Sequence, residues 1–309
     1  ARQVWLRLDG GRNHFNVVVD GRRASVLRTR AGIRDYLLAS GPAQLRLFEV
    51  QKRTEPRAAS CVDSVLGRGT GIVAVHGLVL DAGSSLHAIE ARPRPILEFV
   101  GDSETSAFGN EGPSQPGPPG LRSVLTMHPA HQDACQSWPW IVSEALGAEC
   151  HIVALSGIGL LWNSSPGCSA DGTLLDVYPR LLAGRPSPYT AATPSRNLLA
   201  PWPPSAIVIY AGGNDWYTLV GRRAASGEGE LAAACCAFLR QVRALRGPGA
   251  PVVVLLPSER SMNACLGSSE EQARFAEDME ACWRRAAAEA GDAGVFLERV
   301  APDPRIELG

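Results

Sequence analysis

Over its first ninety or so residues the chain alternates apolar and polar positions in short runs. "VWLRL" (4–8), "FNVVVD" (15–20), "ASVLR" (24–28), "YLLAS" (36–40), "LRLFEVQKR" (45–53), "GIVAVHGLVLD" (71–81) and "HAIEAR" (87–92) follow this pattern. Turn clusters such as "DGGRN", "DGRR" and "DAGSS" separate them. A period of two turns alternate side chains inward, and short strands at this spacing predict a β-sandwich or jelly roll. Near residues 92–95 the pattern changes. "ILEFVGD" (96–102), "CHIVALS" (150–156), "AIVIYAG" (206–212), "PVVVLLP" (251–257) and "GVFLERV" (294–300) are nearly continuous apolar runs. Between them lie helical stretches: "DACQSWPWIVSEALGA" (133–148), with Pro139 in its first turn or at a kink, and the clearer 229–246 and 269–290. Strands alternating with helices predict a parallel sheet covered on both faces. The expected organisation is a β-sandwich over 1–94 and a three-layer α/β/α domain over 95–309.

Two Pro-, Gly- and Ser-rich stretches, 110–132 and 163–204, interrupt the second half. Long loops in a compact domain tend to be functional, and both leave the same ends of the sheet strands. Ligands of an open parallel sheet collect at the strands' carboxyl ends. Three features fall there: Gly101-Asp102-Ser103, "ALSGIG" (154–159) and "AGGNDW" (211–216). Acyl transfer needs a nucleophile and donors aimed at the developing oxyanion. Ser103, the Gly157 N–H and the Asn214 side chain supply both parts. Each fragment alone is also an ordinary turn, and the joint placement after three successive strands is what makes the set specific. Trp162 and Trp216 follow the two donor segments and are candidates for a sugar platform, since an indole face suits the apolar face of a sugar.

Composition narrows the class. A hydrophobic content of 45% and a formal charge of -1 describe a globular chain, and without a basic run nucleic acid is not an expected partner. Lys52 is the only lysine, which reads as codon bias in a GC-rich genome. The longest apolar runs, such as "APVVVLLP", are far short of a membrane span, and no signal peptide is visible. The 8 cysteines form no C-x-x-C pair and the histidines no cluster at metal spacing, so no metal or organic cofactor is expected.

The chain resembles the SGNH, or GDSL-type, hydrolases, and among them the two-domain carbohydrate esterase family 2, whose members are acetyl esterases acting on xylan and related polysaccharides. "FEVQKRTEP" (48–56) is similar to that family's lysine-arginine-threonine-glutamate segment. "ILEFVGDSETSAFGNEG" (96–112) resembles its nucleophile block, where an isoleucine-threonine-cysteine-glycine-type continuation is usual. Residues 132–163 resemble the oxyanion-glycine block, and "IVIYAGGNDW" (207–216) the asparagine block. The resemblance implies Ser103 as nucleophile, the N–H groups of Ser103 and Gly157 with Asn214 as oxyanion donors, an acetylated carbohydrate as substrate and a secreted or lumenal setting.

The departure lies at the far end. Family members carry an aspartate-x-x-histidine block after the last strand, and its histidine is the general base. Here "VFLERVAPDPRIELG" follows, and no histidine occurs after His151. His14, His76 and His87 belong to the β half, His151 opens a buried strand, and His128 and His131 sit in "MHPAHQD". Asp303 and Asp215 read as turn aspartates, and Asp102 as the residue that organises its turn. Two expectations follow. Either a base outside this sequence completes a serine esterase, or the protein is an inactive relative that binds carbohydrate or serves as a subunit of a larger assembly.

Overall fold

The structure, a computed structural model, describes residues 2–42, 46–55, 70–87, 89, 93–112, 129–164, 172–179, 203–222, 228–256 and 269–300. These pack as two units, Ala1–Arg94 with Ser106–Val142, and Pro95–Thr105 with Ser143–Gly309. Among the described residues no helix is long and apolar enough to cross a membrane.

Among the described residues the first unit holds six strands: β1 (Gln3–Asp9), β2 (His14–Val19), β3 (Arg22–Arg28), β4 (Arg34–Ser40), β5 (Phe48–Lys52) and β6 (Ala74–Leu80). They form two antiparallel sheets, β4-β1-β6 and β3-β2-β5. Alternation does the work the sequence suggests. Val4, Leu6 and Leu8 face inward from β1 and pack with Phe15, Val17 and Leu38. The β2–β3 hairpin turns on Asp20 and Gly21, both at positive φ (50° and 75°), as the two central residues of a type I′ turn require. "HAIEAR" differs from its expectation. His87 and Ile89 lie in no strand, and residues 88 and 90–92 are outside the described set.

A buried polar joint links β2 and β5 to the segment 106–142. Arg53, only 2% exposed, donates from Nη1 to Asn16 Oδ1 (3.0 Å) and from Nε to the Gln132 carbonyl (3.1 Å). It also pairs with Asp133 and Glu111. Asp133 accepts from Asn16 Nδ2 (3.0 Å) and from Arg23 (3.2 Å). Thr54 donates to Asn13 Oδ1 (2.8 Å), and Gln132 exchanges hydrogen bonds with Glu55. In this chain the Lys-Arg-Thr-Glu segment is therefore part of the first unit's interior, and each of its buried polar groups finds a partner, as burial demands.

The second unit is built on a five-stranded parallel sheet, ordered β11-β10-β9-β7-β8, with β7 (Ile96–Gly101), β8 (Glu149–Ala154), β9 (Ala206–Tyr210), β10 (Val252–Leu256) and β11 (Val295–Arg299). All five were expected from apolar runs. Among the described residues the helices are α1 (Trp138–Ala145), of which the residues from Ser143 belong to this unit, α2 (Leu174–Val177), α3 (Gly213–Arg222), α4 (Glu228–Arg246) and α5 (Ser269–Ala290). The stretch expected as one helix over 133–148 is instead a 3-10 turn, Ala134–Gln136, followed by α1 with Pro139 in its first turn. Each long helix buries one stripe at helical spacing: Leu231, Cys235, Phe238, Leu239 and Val242 on α4, and Phe275, Met279, Cys282, Trp283 and Ala286 on α5. One charge enters the sheet. Glu98 on β7 is 1% exposed, pairs with Arg246 of α4, and accepts from the Tyr178 hydroxyl (2.6 Å).

Among the described cysteines, Cys135, Cys150, Cys235, Cys236 and Cys282 are in no disulfide. Cys61, Cys168 and Cys265 lie outside the described residues, as do His128 and Asp303.

Candidate functional site at the sheet's switch point

The sheet order places a topological switch at β7. The chain leaves β7 for β8 on one side and returns to β9 on the other, so the segments leaving β7 and β9 diverge at their carboxyl ends. Such a divergence is where open α/β sheets bind ligands. Ser103 follows β7 and Asn214 follows β9, while Gly157 follows the edge strand β8.

Each segment has a local reason for its path. Gly101 ends β7 against two walls, because a Cβ there would lie 2.1 Å from Thr105 Oγ1 and 2.5 Å from the Tyr210 carbonyl. Beyond it the chain turns at once, and the Asp102 carboxylate accepts the Glu104 N–H (3.2 Å) across Ser103. After β8, the Ile158 N–H reaches the Leu155 carbonyl (3.3 Å), with Gly157 at φ 80°. That is a type II turn, whose third position needs the left-handed region. After β9, α3 begins at Gly213, which puts Asn214 and Asp215 in its first turn.

These two side chains grip the loop after Gly157. Asn214 Nδ2 donates to the Ile158 carbonyl (2.9 Å) and to Asp102 Oδ2 (3.0 Å), which joins all three segments through one amide. Asp215 is fully buried and accepts three successive backbone N–H groups. Leu160 donates to Oδ2 (2.8 Å), and Leu161 (2.7 Å) and Trp162 (2.8 Å) donate to Oδ1. The turn aspartate expected from sequence is thus the anchor of a distant loop. An acidic residue in a helix's first turn was the only signal available in advance. Further bonds from Gly159 N–H to Asn163 Oδ1 (2.8 Å) and from the Thr218 hydroxyl to the Asn163 carbonyl (3.0 Å) complete the grip.

The electrostatics follow from burial. Desolvation pushes Asp102 up to about 7, helped by the negative charge of Glu104 and Asp215, while the Glu104 N–H and the Asn214 amide oppose the rise. Desolvation also raises Asp215, against the pull of its backbone donors. The site therefore holds one carboxyl group that titrates near neutrality directly beside Ser103.

Of the sequence-predicted residues, Ser103 is half-buried, and the Asn214 amide bonds to the residue before Ser103 and to the residue after Gly157. The two tryptophans part company. Trp216 is 5% exposed with its ring 4.8 Å from that of Phe275, so its packing is that of a core residue. Trp162 is half-exposed on the anchored loop. Among the described residues of this unit the one histidine is His151. It lies in register with Glu98, three residues before Gly101, or about 10 Å from the carboxyl end of the sheet. His131 closes a 3-10 turn of the first unit, where its carbonyl accepts the Glu111 N–H (3.1 Å). Among the described residues no group of His, Cys, Asp and Glu is arranged to hold a metal ion.

No family model matches the chain. It is 30% identical over 213 residues (68% of this chain, 22% of the relative) to the cellulase/esterase CelE of Acetivibrio thermocellus. It is also 30% identical over 222 residues (71% of this chain, 52% of the relative) to the acetylxylan esterase / glucomannan deacetylase of Cellvibrio japonicus. The chain spans about half the length of one curated relative and about a fifth of the other. Among solved structures, a family two carbohydrate esterase from Clostridium thermocellum in complex with cellohexaose has a TM-score of 0.71 at 24% identity, covering 96% of this chain and 78% of that one. These neighbours point to carbohydrate esterase family 2 and its SGNH-type fold.

Proposed function

We propose that this relative of carbohydrate esterase family 2 is a serine esterase that removes O-acetyl groups from carbohydrates. Its organisation would be a jelly-roll β-sandwich over 1–94 and a three-layer α/β/α hydrolase domain over 95–309. Ser103 Oγ attacks the acetyl carbonyl, and the N–H groups of Ser103 and Gly157 with the Asn214 amide stabilise the tetrahedral oxyanion. Trp162 offers the sugar a stacking face. The observation that carries this reading is the convergence of the three strand-end segments on one amide, with Asn214 bonded to the residue before Ser103 and to the residue after Gly157.

A second reading has its own support. The esterase needs an imidazole as its general base, and His151, the histidine among the described residues of the second unit, lies in register with Glu98, about 10 Å before the sheet's carboxyl end. Loss of the base costs on the order of 10⁶ in turnover, while donors alone retain roughly 10³ over water. In that case the same site binds carbohydrate without turnover, as a binding module or as a subunit of a larger assembly. Acetate release from acetylated xylan separates the two. The esterase reading expects release that Ser103→Ala abolishes. Release that is unchanged in Ser103→Ala overturns it, and binding without release establishes the second reading.

A further inference from the structure

The Asn214 side chain is fully committed in the resting site. An amide carries two N–H bonds, and here one points to Asp102 Oδ2 (3.0 Å) and the other to the Ile158 carbonyl (2.9 Å). To stabilise an oxyanion, the amide must exchange one of these acceptors for the substrate oxygen. The two differ in strength. Above about pH 7, where Asp102 is ionised, its bond is charge-assisted and about twice as strong as one to a neutral carbonyl. The carboxylate is itself fixed, because Oδ1 accepts the Glu104 N–H (3.2 Å) and the side chain is 7% exposed.

We propose that Asp102 is a positioning residue. Its Oδ2 holds the Asn214 amide in the rotamer that presents the second N–H to the acyl oxygen, and the Ile158 carbonyl is the resting acceptor that the substrate oxygen replaces. Asp102 then contributes to turnover only through Asn214. This rests on the esterase reading of the Ser103 site. It gives the Asp of the Gly-Asp-Ser triplet a task distinct from shaping the turn, because the Glu104 N–H uses the other oxygen.

The test is a double-mutant cycle on acetate release, with the side-chain amide signals of Asn214 followed by NMR in ¹⁵N-asparagine-labelled protein. Asp102→Ala is expected to lower kcat about 10- to 100-fold, with KM within about twofold, below the full loss of an oxyanion donor. Asp102→Asn, which keeps an oxygen acceptor at the same place, recovers part of that loss. In an Asn214→Ala background, Asp102→Ala costs nothing further. Multiplicative losses in the double variant, or a change confined to KM, overturn the proposal. If the wild-type protein releases no acetate, the esterase reading falls and the amide signals decide this one. They move in Asp102→Asn if the coupling exists, and unmoved signals refute it.

Discussion

Asp215 makes the sharpest demand on stability. Its buried carboxylate accepts the Leu160, Leu161 and Trp162 N–H groups at 2.8, 2.7 and 2.8 Å, the first bond buried and the other two part-buried. A buried N–H left without an acceptor costs about 1–3 kcal/mol. Asp215→Ala orphans the buried Leu160 N–H outright and the two part-buried donors in part, so the expected loss lies in the lower part of three such costs, about 3–6 kcal/mol, a large part of the 5–15 kcal/mol typical of a folded domain. Asp215→Asn should behave differently. Its remaining oxygen can keep the two donors that share Oδ1, while its NH₂ faces the Leu160 N–H. One bond is lost and two donors are opposed, for about 2–3 kcal/mol. The assay is urea unfolding followed by tryptophan fluorescence, with the unfolding slope compared among the three proteins. The predicted order of stability is wild type, Asn, Ala. A loss below about 1 kcal/mol in Asp215→Ala, or an Asn variant no better than Ala, would refute the account of the loop's anchor.

Three further predictions concern the same region and its neighbour. Gly101→Ala sets a methyl group 2.5 Å from the Tyr210 backbone carbonyl, which is not free to yield, so a loss of about 2–4 kcal/mol is expected on thermal or urea unfolding. Asp102 has a folded-state pKa raised to about 7, so the folded protein binds that proton more tightly than the unfolded chain. Its contribution to stability therefore falls as pH rises from about 4 to 7 and is level beyond. At about 1.4 kcal/mol per pH unit, this amounts to at most on the order of 4 kcal/mol. Asp102→Asn removes that slope, so its stability relative to wild type should grow through the window, and parallel curves would contradict the assignment. Ala107 sits at φ 66°, where a non-glycine residue costs about 1–2 kcal/mol. Ala107→Gly relieves that cost against about 0.4–1 kcal/mol of added unfolded-state freedom, and a net gain of about 0.5–1 kcal/mol should appear as a higher urea midpoint.

How much of this was readable in the sequence depends on the range of the interaction. The parallel strands announced themselves because Ile207, Ile209, Val252 and Val254 are buried in an unbroken apolar register, and the stripes on α4 and α5 because their spacing is local. Ser103, Gly157 and Asn214 were proposed from their places after strands, and they do follow β7, β8 and β9. The partners of Asp215 and of Arg53 were not readable. Asp215 meets backbone N–H groups more than fifty residues earlier, and Arg53 meets Gln132 and Asp133, with no periodicity to mark either pair. Trp216 misled for the same reason, since its burial is decided by Phe275 of α5. Ala107 carried no signal in the sequence, because its positive φ is a property of the backbone alone.

The central proposal is that Ser103 is the nucleophile. Treatment with a serine-directed fluorophosphonate, followed by mass mapping of the peptide that spans 96–112, tests it directly. The account predicts one adduct, on Ser103, that forms at the rate acetate release is lost and is absent from Ser103→Ala. An unmodified Ser103 in a protein that still releases acetate, or an adduct on another serine that stops the release, would contradict it.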